Sequence, residues 1–465
     1  MNSISVMEKT LSLIGDKGVS FKNSFAATPL CCPSRSGIFT GQYVHNHGAK
    51  NDSNAGGCSS LEWQNGPEKR TFPVLLNEAG YRTFFSGKYL NVYGSEAVGG
   101  LAHVPPGWSS WVALKGNSVY YNYYLSVNGT SVYHGNDPDE DYLTNIIKDE
   151  GIKFIEGVPE GSPFFMMLAT PASHDPDTPE PKYENSLNSS TIPNTPNFNI
   201  ANENKNWFVM QGEQPLRQEV VDEIQEIYRN RLRTLLTVDD LVESVVSKLE
   251  ERGFLDNTYV FFSSDHGYHL GQFSIPKDKR QPYEFDIRIP LLVRGPGISE
   301  GAEISDVVTN IDLAPTFLDL AGLEIPETMD GISFKSYLLN SANPTVNISE
   351  RTLLVEHSGE GSDSPIQGCE YLGTGLAHCL PELDCKCQDS YNNTYSCIRT
   401  LGVEKNEIYC KWNNNDNFEE YYDLNIDPYQ ITNSVDDLTE DERSILQQKL
   451  ASLVECSGSS CQNIN

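Results

Sequence analysis

Three short apolar runs, each closing on ionisable residues, most constrain what this chain can fold into. Tyr81–Phe85 is aromatic and is followed by Ser86, Gly87 and Lys88. Phe164–Ala169 (FFMMLA) is too short for a free-standing helix and leads to Pro171 and His174. Thr258–Phe262 leads to Ser263, Ser264, Asp265 and His266. A fourth run, Ile289–Val293, follows Lys277–Asp286. Runs of this length bounded by turn residues read as buried strands. With the strongly helical stretch of roughly 219–251 between them, the alternation predicts an α/β fold. In open α/β sheets the ligand site lies at the carboxyl ends of the strands. Lys88, His174 and the Asp265-His266 pair are therefore expected to converge.

The stretch Leu30–Gly41, LCCPSRSGIFTG, is the other strong signal. Pro33 suits the first turn of a helix, where its missing N–H costs nothing, and Gly41 suits its end. Such a helix aims free N–H groups and a positive dipole end at Cys31. Arg35 adds a forked cation suited to an oxyanion. Taken alone, Cys31 and Cys32 read equally as half-cystines, as a weak thiolate metal site, or as a thiol nucleophile activated at a helix N-terminus.

At 465 residues the chain can bury a large core, and length alone suggests two to three domains. A net charge of −31 argues against a nucleic-acid surface. A polyanionic substrate must then be drawn by a local cationic pocket. The acidic surface fits an acidic compartment and a soluble extracellular protein equally well. Eight of the eleven cysteines lie after residue 360, and sequons stand at Asn51, Asn128, Asn188, Asn347 and Asn392. That combination reads as secretory-pathway chemistry. No run reaches membrane-spanning length, and MNSISVMEKT has no apolar signal region.

Along the chain, residues 1–22 read as an amphipathic helix stopped by Gly18, and Val19–Phe25 as a strand feeding the motif. The polar, Pro/Asn-rich span of about 176–218 reads as a long surface excursion. From about Arg351 a strand (Leu353–Glu356), the cysteine cluster and a helix near Glu440–Val454 suggest a smaller subdomain. His45 and His47, in the HNH after the motif, are candidate pocket residues, though loop histidines are commonly just polar surface.

Cys31-Cys32-Pro33-Ser34-Arg35 resembles the Cys-x-Pro-Ser-Arg signature of the sulfatase family. The similarity extends through SSDHGYHLGQFSIPKDKRQPYEFDIRIPLLVRGPGI, VGGLAHVPPGW at Val98–Trp108, the cysteine-rich text from Cys385, YYDLNIDPYQITN and the closing CSGSSC. It covers essentially the whole chain and is greatest for the glucosamine-6-sulfatase branch, where Leu90 and Asn91 follow Lys88.

The resemblance implies an alkaline-phosphatase-like α/β fold. A large mixed central sheet would be flanked by helices, with a catalytic domain at 1–350 and a cysteine-rich α+β subdomain at 351–465. It implies that Cys31 is oxidised by a formylglycine-generating enzyme to formylglycine, whose hydrate attacks the sulfate ester. Arg35, Lys88 and Lys279 (Lys277 competing) would bind sulfate. His174 would protonate the leaving alcohol, its ordinary pKa suiting mildly acidic pH. Cys31, Asp265 and His266 would hold Ca2+. The implied substrates are 6-sulfated N-acetylglucosamine units of heparan and keratan sulfate, in the lysosome or outside the cell. A phosphoesterase of the same superfamily would carry Ser or Thr at the nucleophile position. An arylsulfatase or endosulfatase is a closer alternative.

One departure stands out. The family opens on a strand ending in two metal-binding aspartates, whereas only thirty residues precede Cys31 and their sole aspartate is Asp16. A truncated chain, or a sulfated-glycan-binding pseudoenzyme, is the expectation that follows.

Overall fold

The computed structural model describes residues 3–341, 350–414 and 417–462. β1 (Val19–Phe25) feeds the motif helix, Cys31–Thr40. β2 (Arg82–Lys88), β3 (Ser110–Leu114), β4 (Tyr123–Val127), β5 (Thr130–His134) and β6 (Phe164–Ala169) form one sheet in the order β5-β4-β3-β2-β6. β7 (Val260–Ser263), β8 (Leu291–Arg294) and β9 (Ala302–Thr309) join β1 in a second, ordered β7-β8-β1-β9. Both sheets mix parallel and antiparallel pairs. The mixed-sheet framework is thus divided in two. Among the described residues β6 pairs only with β2, and β7 only with β8. A cavity of about 1030 Å3 runs between these strands, floored by Leu241, Val242 and Val245 of the helix Gln218–Glu251.

The motif helix is anchored by its apolar side. Phe39 lies 5.1 Å from Tyr89, and Phe85 stacks on Trp111 at 4.7 Å, in one buried aromatic cluster. Gly41 ends the helix in the left-handed region, φ 68°, where a side chain is disfavoured.

The opening stretch differs from a single helix over 1–22. Helical structure stops by Gly15, and β1 begins at Val19. At Gly18 a Cβ would lie 2.1 Å from the Val293 carbonyl oxygen, so the chain there is pressed flat against β8.

The C-terminal sheet subdomain is antiparallel. Its strands β10 (Arg351–His357), β13 (Tyr395–Leu401), β14 (Asn406–Trp412) and β15 (Glu419–Asp423) adjoin in that order. The short pair β11 (Leu376–Ala377) and β12 (Asp389–Ser390) lies between β10 and β13 in the chain. The helix Glu440–Val454 opens with a Thr439–Glu442 capping box and packs through Leu446, Leu450 and Leu453.

The excursion of 176–218 is not wholly superficial. Lys205 is buried, its ammonium over the rings of Phe273, Tyr283 and Tyr422 at 4.2 to 4.5 Å. It donates to Tyr422 Oη and to the Gln430 carbonyl. Burial pulls its pKa down to about 8. Val209 joins the same core. Lys205→Ala is expected to destabilise the protein by about 3 kcal/mol, the scale of two lost charge-assisted hydrogen bonds. The urea midpoint measures it.

Candidate active site

Five disulfides account for ten cysteines: Cys32–Cys58, Cys369–Cys385, Cys379–Cys387, Cys397–Cys410 and Cys456–Cys461. Cys31 alone is free, and it is buried. This separates the roles of the vicinal pair, Cys32 stapling the motif and Cys31 remaining available for chemistry.

The helix N-cap, Leu30, is extended and offers no side-chain cap. The open first turn is partly satisfied by Asp52, whose Oδ1 accepts from the Cys32 N–H at 2.9 Å. Ser34 Oγ donates to the Asp265 carbonyl at 2.5 Å and accepts from Asn310 Nδ2 at 2.7 Å, bolting the helix to the end of β7. Arg35 donates from Nε to Asp265 Oδ2 at 2.8 Å and from Nη1 to the Lys88 carbonyl at 2.7 Å. The Asp265 carboxyl is held well below its usual range: burial opposes this, and His266 and Arg35 overcome it.

Lys88 ends β2, 1 % exposed, with Nζ donating to Asn117 Oδ1 at 2.7 Å. Gly87 must precede it, because a Cβ there would lie 2.0 Å from the Ala169 carbonyl oxygen of the paired strand. Lys279 is also buried, 3.5 Å from Asp278 Oδ1. Burial pulls the Lys88 pKa down; for Lys279 the same burial is outweighed by Cys31 and Asp278, and the pKa rises. Burial would raise the Cys31 thiol, but Lys279, Lys88 and His266 hold it well below the ordinary thiol value. Lys277 instead sits 3.4 Å from Asp175 Oδ1, so the cation coupled to Cys31 is Lys279.

His174 follows β6. Its Nδ1 hydrogen bonds the Asp175 carbonyl at 2.7 Å, and its Nε2 is buried without a hydrogen-bond partner among the described residues. Burial, with Lys88 and Lys279 nearby, lowers its pKa to about 4, below the ordinary value expected from sequence. His266 Nε2 stands 3.4 Å from Cys31 Sγ, while its Nδ1 bonds the Gly267 carbonyl at 2.7 Å. Burial would lower the His266 pKa, but Asp265 and Cys31 raise it, in keeping with the cationic ring that helps hold Cys31 and Asp265 low.

Ligand atoms of Cys31, Asp265 and His266 lie within 4.8 Å of one another. Calcium takes about six to eight oxygens. The described residues offer one carboxylate, one imidazole and the Cys31 position, which falls short of that shell. Asp16 is exposed at the end of the first helical stretch and does not add to it.

His45 and His47 lie elsewhere. His45 bridges Glu356 and the Cys456 carbonyl, both at 2.9 Å, and buried His47 accepts from the Ala49 N–H. Sequence reading missed four neighbours. Besides Asn117 there are Asp52, Glu360 and Arg280. The Asp52 N–H donates to Glu360 Oε1 at 3.1 Å, and Arg280 donates to Glu360 Oε2 at 3.2 Å. Burial and then Cys31 and Glu360 push the Asp52 carboxyl up to about 6. Asp52 was visible only as the middle of a sequon; no local pattern marks the others.

The family model Sulfatase matches residues 4–323. The chain is 44% identical over 464 residues to N-acetylglucosamine-6-sulfatase of Homo sapiens, covering 99% of this chain and 83% of that one. It is 40% identical over 365 residues to the Extracellular sulfatase SULF-1 homolog of Drosophila melanogaster, covering 77% and 32%. The solved complex of BT4656 with its substrate D-Glucosamine-2-N, 6-O-disulfate superposes with a TM-score of 0.73 at 24% identity, over 98% of this chain and 93% of that one. With the alkaline-phosphatase-like fold shared and the motif helix at its centre, the chain belongs to the sulfatase family.

Proposed function

We propose that this sulfatase removes the 6-O-sulfate from N-acetylglucosamine 6-sulfate units of heparan or keratan sulfate, in the lysosome or outside the cell. Residues 1–350 would form the catalytic domain and 351–465 the cysteine-rich subdomain. The supporting observation is the set of buried Lys88, buried Lys279 and half-buried His174 around the one free cysteine, at the open N-terminus of a helix. In a strongly acidic protein such a set is a local sink for a sulfate ester.

Sulfatases in general use formylglycine and a divalent metal. Here the Cys31 thiol stands for the formylglycine oxygens, installed by a formylglycine-generating enzyme during maturation. Once formed, that group supplies the oxygen nucleophile for the ester sulfur. The ammoniums of Lys88 and Lys279 bind the sulfate oxygens and offset the charge that builds on them. Arg35 adds charge at the same face while holding Asp265 against the end of β2. His174, beside Cys31, would serve the leaving oxygen through Nε2. The bound sulfate ester counters the two lysine charges that depress its pKa, so Nε2 gains the affinity to carry the proton that the departing 6-hydroxyl takes.

Calcium would fall to Asp265, His266 and the Cys31 position, too small a set among the described residues for a calcium shell. That shortfall favours one second reading, a protein that binds sulfated glycans without cleaving them.

Inorganic sulfate release separates the two. With disaccharides sulfated only at O6, only at O2, or only on nitrogen, the 6-sulfated substrate is expected to react at least about tenfold faster. Equal rates contradict the regiochemistry, and binding of the 6-sulfated disaccharide without release supports the second reading.

A further inference from the structure

A second concavity of about 530 Å3, lined by Trp207, Tyr371, Leu372, Thr374, Lys386 and Tyr391, opens in the cysteine-rich region. That volume lies in the range of sites that take a small ligand, about 300–1,000 Å3. Its rim exposes two aromatic rings and a leucine, with Tyr371 77% exposed, Tyr391 48% and Leu372 37%. Cys385, crosslinked to Cys369, lies in its lining, and Cys379–Cys387 belongs to the same buried cluster. The charges at this pocket are already engaged. Lys386 donates to the Gln211 carbonyl, and Asp384 is gripped by both Nε and Nη2 of Arg217. Aromatic faces and neutral polar groups make up most of the remaining lining, which suits an uncharged sugar.

The rim also carries Asn392, the acceptor of the sequon Asn392-Asn393-Thr394, and Asn392 is exposed. The other sequons are placed differently. Asn51 is folded inward: its Oδ1 accepts from Ser53 N and Oγ at 3.1 and 2.8 Å, and a Cβ on Gly56 would lie 1.8 Å from it. Asn128, at the β4–β5 turn, is exposed, with Oδ1 accepting from the Trp111 N–H. Asn188 is exposed, with Oδ1 accepting from Arg233 Nη2. Neither lines either cavity. Asn347 lies outside the described residues.

We propose that Asn392 carries an N-linked glycan whose first N-acetylhexosamine lies in this aromatic pocket, as a fixed part of the C-terminal subdomain. In the attachment, Asn392 Nδ2 bonds to C1 of a lipid-diphosphate-linked oligosaccharide. The C1–O bond to the diphosphate breaks, the electron pair leaves with the diphosphate, and the amide proton is lost to base. The inference rests on the secretory route proposed above.

The test uses the full chain secreted from a glycosylating eukaryotic cell, mapped by glycopeptide mass. Native protein is then treated with peptide N-glycosidase. The Asn392 glycan is expected to be present and released at least about tenfold more slowly than those on Asn128 and Asn188, the difference vanishing after denaturation. Tyr371→Ala, at an exposed position the fold does not need, is expected to keep the glycan and bring its release up to the rate of the others. Modified Asn128 or Asn188 beside bare Asn392 overturns this proposal alone, as does equal release in the native state. All sequons bare in secreted protein overturns it together with the secretory reading.

Discussion

Replacing Cys31 with alanine is expected to lower kcat/KM for sulfate release by at least about a thousandfold while leaving the melting temperature close to that of the parent. The two halves of this result have separate physical grounds. Cys31 takes part in none of the five disulfides, so its removal opens no crosslink. Its polar surroundings, Lys88, Lys279, His266 and His174, converge on a position that alanine leaves chemically empty. Cys32→Ala, one residue away, should behave in the opposite sense. It opens the Cys32–Cys58 staple, whose sequence separation is 26, and loses about 3.5 kcal/mol of stability by the loop-entropy estimate. The surviving folded fraction should retain Cys31 chemistry. Initial rates and thermal unfolding of the two variants, run side by side, measure both effects.

Lys279→Met should reduce kcat/KM by about a hundred- to a thousandfold, the scale of losing one well-placed donor to developing charge. Lys277→Ala should stay within about threefold. Both lysines stand in the same IPKDK run, and sequence alone gave no way to choose between them. Lys279 is buried beside Cys31, whereas Lys277 reaches toward Asp175 on the outer side. The fold should tolerate the change at 279, because Asp278 keeps its ion pair with Arg280. Weaker inhibition by inorganic sulfate in Lys279→Met, but not in Lys277→Ala, would trace the loss to the anion itself. Equal effects at both positions would count against the assignment.

What was legible in the sequence was what depends on local period and cap chemistry. The FFMMLA run is a strand, Gly41 ends its helix, and the 440–454 helix has its expected bounds. The strand-end rule brought Lys88, His174, Asp265 and His266 to one place because each is tied to a local element. Contacts between distant segments were not legible. Asp52 meets the Cys32 N–H across a loop, Asn117 reaches Lys88 from beyond β3, and Glu360 meets Arg280 from 80 residues away. No periodicity records such pairs. The same limit explains Lys205: in a polar, Pro/Asn-rich text it looks solvated, and only the rings of Phe273, Tyr283 and Tyr422 make it a core residue. The division into two sheets was hidden for a related reason. Hydrophobic alternation marks strands but does not say which edges pair.

The most direct measurement is the chemical state of Cys31 in protein matured in a cell that makes formylglycine, read by peptide mass beside an assay of sulfate release from N-acetylglucosamine 6-sulfate. The account predicts an aldehyde at position 31, trapped as a hydrazone, in the same preparation that liberates inorganic sulfate. An intact thiol at Cys31 with no sulfate released would contradict it.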